Sequence, residues 1–306
     1  MYSLTQGDII IFKAQDSWFS RAIALLSRSD VCHAAMVYSK DSIVEVLANG
    51  IQVNKVSLSK GDDIYVLRLS DEPDYAPLIR SADAYLQAGT RYDFPGLLIL
   101  AGLLIYRYIV PTYEVLKIAN HIFDAACLEL DKMIQHALHY ESRAMVCSQL
   151  IYQIFYDCGE PYKIKLPGSC LWSGSTDNSL PGFVRLAEYL SPDNDTLTDC
   201  PSPLVTPKSS LMPLPEAFLY KELCTALTNA DAFSFCNKKP SKDLLTRQLS
   251  DSLPHAERFL SRLKHFLKLI QCDTPMDAMF VTPGDILNHS ANLKQIAMIT
   301  LKRSSV

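Results

Sequence analysis

The chain has 306 residues, of which 48% are hydrophobic and 20% are charged, and it carries a formal net charge of −4. This composition is typical of a globular protein with a large core and excludes an intrinsically disordered chain. The negative net charge argues against a nucleic-acid-binding protein, which normally carries a basic surface. Nine cysteines at irregular positions predict no disulfide framework, so we expect a cytoplasmic or other reducing compartment.

The first part of the chain predicts a small antiparallel sheet with one early helix. The apolar run Ile9–Phe12 predicts a buried strand, and residues 16–26 predict an amphipathic helix. A helix is predicted over residues 75–87 because the apolar periodicity stops at Gly89. Further strands, each bounded by turn-forming residues, are predicted at 33–38, 42–47, 51–53 and 64–69.

The next segment is almost wholly apolar. It runs from Leu97 to Val110 and falls short of the ~20 residues needed to cross a bilayer. We expect a buried core helix, and a peripheral membrane contact through residues 97–110 is the alternative interpretation. A second helix is predicted over residues 113–138.

The character of the chain changes after Gly159. Residues 161–215 are rich in Pro, Ser, Gly, Asn and Asp and predict loops around a single helix. The last predicted helix of this part has one apolar face, and we expect it to expose Arg262, Lys264 and Lys268. A turn at residues 282–286 and a strand at 295–301 close the chain. The predicted helices of this half lie at 183–190, 216–227, 242–249 and 255–271.

The segment around Cys147 predicts a nucleophile at the start of a helix. Apolar residues follow Cys147 at helical spacing, and Gly159 ends the run. Unpaired N–H groups and the positive end of the helix dipole favour a thiolate in the first turn. Thiol hydrolases use that thiolate as their nucleophile. A small buried cysteine with a purely structural role is the competing interpretation.

A cysteine nucleophile needs a base and a group that orients the base. His33 begins a predicted strand and is followed by the small residues Ala34 and Ala35. Glu45 lies in the next predicted strand among apolar residues, where a charge without a partner is costly. Antiparallel pairing would bring the imidazole and the carboxylate onto one face of the sheet. An edge-strand glutamate and a structural histidine are the competing interpretation.

Short motifs follow one another in a specific order along the chain. They are Gly7–Phe12, Trp18–Ile23, Ser29–Val37, Ile43–Val46, Gly50–Val53, Gly89–Asp93, Val146–Leu150 and Val281–Ile286. In this order they resemble the circularly permuted papain-like cysteine hydrolases, the YiiX-like branch of the NlpC clan. In that family the catalytic histidine precedes the cysteine, as His33 precedes Cys147 here.

The resemblance implies an α+β fold, in which a small antiparallel sheet packs on the cysteine-bearing helix of a permuted papain-like core. We expect this catalytic core at residues 1–160 and 280–306, with an apolar helical insertion at 97–140. Residues 161–279 are expected to form an inserted cap that is loop-rich at first and then mainly helical. The cap has no counterpart in the motifs of the family.

The resemblance also implies acyl transfer from an amide or peptide-type bond of a protein or acylated substrate. Cys147 would be the nucleophile, His33 the base and Glu45 the group that orients it. Tyr92 would line the substrate pocket or donate to the oxyanion. A lipid-directed thiol acyltransferase or lipase, and an inactive binding module of the same fold, are the alternatives. The profile also fits a bacterial effector that is exported into a host cell without a cleaved signal peptide.

No cofactor or metal is expected. His136, His139 and Glu141 lack a distant further ligand at a known spacing, and the chain has no Cys-x-x-Cys motif. Phosphate-binding glycine loops and the Gly-x-Ser-x-Gly motif are also absent from the sequence. Cys32 is predicted to face the opposite side of its strand from His33 and is therefore a poor rival nucleophile.

Overall fold

The computed structural model describes residues 4–15, 20, 23–24, 27, 29–56, 63–71, 73–108, 113–135, 144–167, 242–270 and 280–300. Within these residues the fold is mixed α and β, with six helices and an antiparallel sheet of six strands. The chain divides into two compact units. The first contains residues 1–96, 142–173 and 274–306, and the second contains 97–141 and 174–273. The predicted helices at 183–190 and 216–227, most of that at 16–26, and the group His136, His139 and Glu141 lie outside the described residues.

Eight strands are described in the first unit. They are β1 (Ile9–Lys13), β2 (Val31–Ser39), β3 (Ser42–Leu47), β4 (Gly50–Lys55), β5 (Asp63–Leu69), β6 (Arg91–Tyr92), β7 (Ala144–Met145) and β8 (Leu293–Thr300). Six of them form the large sheet in the order β4-β3-β2-β1-β5-β8, and β6 and β7 form a separate parallel pair. The predicted strands of the large sheet are all present, because each is a run of apolar and β-branched residues bounded by turn formers.

Six helices are described across the two units. They are α1 (Ala76–Ala88), α2 (Phe94–Tyr108), α3 (Tyr113–Gln135), α4 (Cys147–Asp157), α5 (Lys242–Ile270) and α6 (Pro283–His289). Gly89 ends α1 with φ 65°, a left-handed conformation that glycine adopts without steric cost. The stop predicted at this glycine is therefore the C-cap of the helix.

The core of the first unit lies between the large sheet and α4. Apolar side chains of β2 and β3 share one buried cluster with those of α4. All nine residues from Cys147 to Phe155 are buried, including Ser148 and Gln149. The helix is therefore more enclosed than its amphipathic pattern predicts, because α1 and α6 also contact it within this unit. This enclosure holds the first turn of α4 in a defined position.

In the second unit, α3 and α5 pack against each other, with the rings of Phe123 and Phe259 5.5 Å apart. The sequence predicts two helices separated near Pro254, whereas α5 is one helix of 29 residues that continues through this proline. A proline inside a helix removes one backbone hydrogen bond. Burial of Phe259 and Phe266 on the face beyond the proline offsets that loss.

Two basic residues of α5 are buried, so the prediction that they are exposed is wrong. Arg262 is 4% exposed and Lys264 is 5% exposed, whereas Lys268 is exposed as expected. The Nε of Arg262 lies 3.1 Å from Oδ1 of Asp131 on α3, and such pairing makes burial of a charge tolerable. Sequence periodicity places residues on a face but does not reveal a partner on another helix.

The apolar run after Gly96 forms α2. Its described side chains are buried at Ile99, Leu100, Leu103 and Leu104, as a core helix requires. Among the helices of the described ranges, none combines the length and the apolar character that a membrane span needs.

Candidate active site

Cys147 is the first residue of α4. Val146 precedes it with the extended backbone of an N-cap residue, at φ −81° and ψ 163°. Cys147 is 5% exposed, and the backbone N–H of the next residue, Ser148, helps to lower the pKa of its thiol. The N–H groups of the first helical turn have no acceptor within the helix. They and the helix dipole therefore favour a negative charge at this sulfur.

His33 lies on β2, where β2 and β3 separate. The ladder between these strands ends at the pair of Met36 and Val44. Beyond that end, the His33 side chain and the backbone N–H of Ala34 lie near the Cys147 sulfur, where both lower the pKa of the thiol. The end of the ladder thus leaves a backbone donor and an imidazole available to the cysteine.

Glu45 lies on β3 and contacts the other side of the imidazole. Its Oε2 accepts a hydrogen bond from Nε2 of His33 at 2.6 Å. The Glu45 side chain is 9% exposed and that of His33 is 20% exposed. Because Nε2 is occupied by Glu45, Nδ1 is the ring nitrogen left to face the sulfur. The structure therefore brings Cys147, His33 and Glu45 into one array, in which the imidazole is hydrogen-bonded to Glu45 and lies near the cysteine.

The pKa values of Cys147 and His33 shift in opposite directions. Burial by itself lowers the pKa of His33, but the Cys147 thiolate and the Glu45 carboxylate outweigh it and raise this pKa to about 10. Burial by itself raises the pKa of Cys147, but the His33 imidazolium and the N–H groups of Ala34 and Ser148 lower it below its ordinary value. Both shifts have one origin, because each charge stabilises the other. The array therefore favours a thiolate–imidazolium pair.

Tyr92 lies beside the residues that lead into α4. It pairs in parallel with Met145, two residues before Cys147, and the N–H of Asp93 donates to the Met145 carbonyl at 3.2 Å. The Tyr92 side chain is half-buried against the core cluster that contains Cys147. The sequence predicts only a loop here, since strands of two residues carry no periodic pattern.

Two further side chains around His33 were not singled out by the sequence. The ring of Phe12, which pairs with His33 across β1 and β2, lies 5.4 Å from the imidazole between centroids. Asn54 on β4 donates from Nδ2 to Oε1 of Glu45 at 2.8 Å. Strand register is the signal that could have found both of them.

Cys32 makes contacts of its own, separate from those of Cys147. Its sulfur accepts a hydrogen bond from Ser20 Oγ at 2.8 Å and lies 3.7 Å from the Lys13 carbonyl oxygen. Its thiol is thus engaged with a hydroxyl and a carbonyl, neither of which can act as a base at neutral pH.

The motifs Gly7–Phe12 and Val281–Ile286 each contain a Gly-Asp pair, and both have structural roles in the first unit. Asp8 is fully buried, and its Oδ1 accepts from Nε of Arg68 at 2.6 Å. Asp285 and Thr282 form a reciprocal capping box at the start of α6. Ser148 Oγ donates to the Val281 carbonyl at 2.7 Å, which joins the first turn of α4 to the residue before that box. The second motif therefore supports the nucleophile segment, whereas the contact of Asp8 with Arg68 joins β1 to β5.

Within the described ranges, no group of three or more His, Cys, Asp or Glu side chains could hold a metal ion. Comparison with known protein families and with curated proteins finds no match for the chain.

Proposed function

We propose that the chain is a cysteine-dependent hydrolase that cleaves an amide or peptide-type bond through an acyl-enzyme on Cys147. The observation that carries this proposal is the array of Cys147, His33 and Glu45 at the start of a buried helix, with His33 hydrogen-bonded to Glu45. It supplies a nucleophile, a base and a group that orients the base, in the order that thiol catalysis requires. The lowered pKa of Cys147 and the raised pKa of His33 support the same assignment.

The chemistry proceeds in two halves. The Cys147 thiolate adds to the carbonyl carbon, while the N–H of Cys147 donates to the oxyanion. The His33 imidazolium gives its Nδ1 proton to the leaving nitrogen, the C–N bond breaks, and a thioester remains. Neutral His33 then accepts a proton from the attacking water. Collapse of the second intermediate releases the carboxylic acid and restores the thiolate, while Glu45 holds the Nε2 proton throughout.

We further propose that the first unit is a permuted papain-like core of the YiiX-like branch. The order His33, Glu45, Cys147 along the chain and the packing of α4 on an antiparallel sheet support this relationship. In this proposal Tyr92 lines the substrate pocket next to the nucleophile segment. The substrate is a protein or an acylated side chain.

The test uses p-nitrophenyl acetate, a small activated ester that reports acyl-enzyme formation without knowledge of the substrate. We expect a burst of about one nitrophenolate per chain and an acetyl group on Cys147 in a mass-spectrometric peptide map. Cys147→Ala should abolish both signals. Cys127→Ala, which removes another buried cysteine, should retain them. A full burst in Cys147→Ala, or an acetyl group on another residue in the wild type, would contradict the proposal.

The lipid-directed alternative depends on the apolar run at 97–110. Its described side chains Leu100 and Leu104 are 5% and 3% exposed. Within the described part of the chain, no observation thus favours a lipid substrate over an amide.

A further inference from the structure

Asn54 contacts the carboxylate oxygen of Glu45 that His33 does not use. Nδ2 of Asn54 donates to Oε1 at 2.8 Å, and Nε2 of His33 donates to Oε2 at 2.6 Å. We propose that Asn54 is a positioning residue that holds the Glu45 carboxylate in the orientation that pairs with His33. This inference rests on the proposed function, since it assigns a fourth member to the same array.

The register of the β3–β4 hairpin explains why Asn54 reaches Glu45. Gln52 is directly opposite Glu45, and Asn54 is opposite Ile43, so Asn54 is a diagonal neighbour of Glu45 on the same face. The Gln52 side chain exchanges hydrogen bonds with Asn49 at 3.2 and 3.3 Å. The diagonal position therefore supplies the amide that orients the carboxylate.

An amide suits this role for two physical reasons. It has no charge to titrate, so it can donate to Glu45 at every pH at which the carboxylate is ionised. A glutamate side chain held through one oxygen alone can rotate away from its partner, whereas contacts to both oxygens fix the plane of the carboxylate. Asn54 thereby acts on Cys147 through two intermediates, Glu45 and His33.

The consequence for the cysteine has a definite sign. Without Asn54, the carboxylate spends less time paired with His33, and the imidazolium loses part of its stabilisation. The pKa of His33 then falls and that of Cys147 rises, because the two charges stabilise each other. The thiolate fraction is reduced most at acidic pH.

The experiment measures alkylation of Cys147 by iodoacetamide from pH 5 to 9 in the full chain, with peptide mapping to assign the site. Asn54→Ala should move the acidic limb to higher pH and slow alkylation at pH 6 about fivefold, the size expected for loss of one typical hydrogen bond. Asn49→Ala in the same hairpin is the matched control and should leave the profile unchanged. If Asn54→Ala unfolds, Asn54→Thr keeps a strand-forming residue whose hydroxyl is too short to reach Glu45.

A double-mutant cycle separates positioning from a general loss of stability. In a Glu45→Ala background the substitution Asn54→Ala should cause no further slowing, because the group that Asn54 holds is gone. Equal slowing in both backgrounds would overturn the inference. An unchanged pH profile in Asn54→Ala would also overturn it, provided that Cys147 is alkylated faster in the wild type than in His33→Ala. A wild type that reacts no faster than His33→Ala at pH 6 would instead overturn the proposed function itself.

Discussion

Each unit holds a histidine–carboxylate pair next to a buried cysteine, and the two arrangements have opposite effects on the sulfur. In the first unit, His33 and Glu45 lie 2.6 Å apart beside Cys147. In the second, Nδ1 of His255 lies 2.7 Å from Oδ1 of Asp124, and Asp124 also acts on Cys127. The two cysteines are 5% and 4% exposed, so burial does not distinguish them.

The two arrangements differ in the order of the imidazole and the carboxylate relative to the sulfur. At Cys147 the imidazole stands between the sulfur and the carboxylate, so the nearest partner is a cation and the pKa of the thiol falls. At Cys127 the carboxylate of Asp124 acts on the sulfur directly. Burial and this negative charge together raise the pKa of Cys127 to about 12, against a smaller opposing effect of Arg258.

Helix position adds to the contrast. Cys147 is the first residue of α4, where N–H groups lack helical acceptors, whereas Cys127 lies inside α3, where they are bonded along the helix. A buried cysteine near a histidine–acid pair is therefore insufficient for a nucleophile. The imidazole must face the sulfur, and backbone N–H groups must lie close enough to donate to it.

The largest expected effect comes from removing the imidazole that faces the sulfur. Without the imidazolium, burial is the dominant influence on Cys147, so its pKa rises above the ordinary value. We expect His33→Ala to slow iodoacetamide alkylation of Cys147 at pH 6.5 about a hundredfold, because the thiolate fraction at this pH falls as the pKa of Cys147 rises. His255→Ala is the matched control and should leave this rate unchanged. Equal rates of Cys147 alkylation in His33→Ala and the wild type would show that His33 does not activate its cysteine, and the two pairs would then not differ.

A smaller effect is expected from neutralising Glu45, which contacts the side of the imidazole away from the sulfur. Glu45→Gln keeps the size of the side chain but removes its charge, so the pKa of His33 falls from about 10 and that of Cys147 rises. We expect alkylation of Cys147 at pH 6.5 to slow about tenfold, and the His33 ring signals in an NMR titration to move to lower pH. A His33 pKa that stays at its wild-type value would show that the carboxylate does not act on the imidazole.

The sequence predicts the His33–Glu45 pair better than the whole site, because these two residues are close together in the chain and Cys147 is distant from both. His33 and Glu45 lie on consecutive strands of one hairpin, so the alternation of side chains suffices to place both on one face. Cys147 is more than a hundred residues further on. No local pattern predicts which strand end its helix meets, and only the ordered motifs of the resemblance predict that Cys147 lies near His33.

The features that the sequence missed depend on contacts between elements. Asn54 is an ordinary polar residue of a strand until the register places it diagonal to Glu45. The parallel pair β6 and β7 is too short to leave a pattern, and buried Arg262 looks like a surface residue until Asp131 on another helix pairs with it. Sequence periodicity describes one helix or strand at a time, whereas each of these features is a contact between two of them.

The smallest expected effect tests the second pair. Asp124→Asn removes the negative charge that acts on Cys127 and leaves the burial of the sulfur unchanged, so the pKa of Cys127 should fall below about 12 without reaching its ordinary value. Because the Asp124 side chain is 37% exposed, solvent screens its charge. We therefore expect alkylation of Cys127 at pH 9 to rise only about threefold, with Cys147 unaffected. If the rate at Cys127 does not change, burial alone keeps that thiol protonated, and the order of the groups matters at Cys147 only.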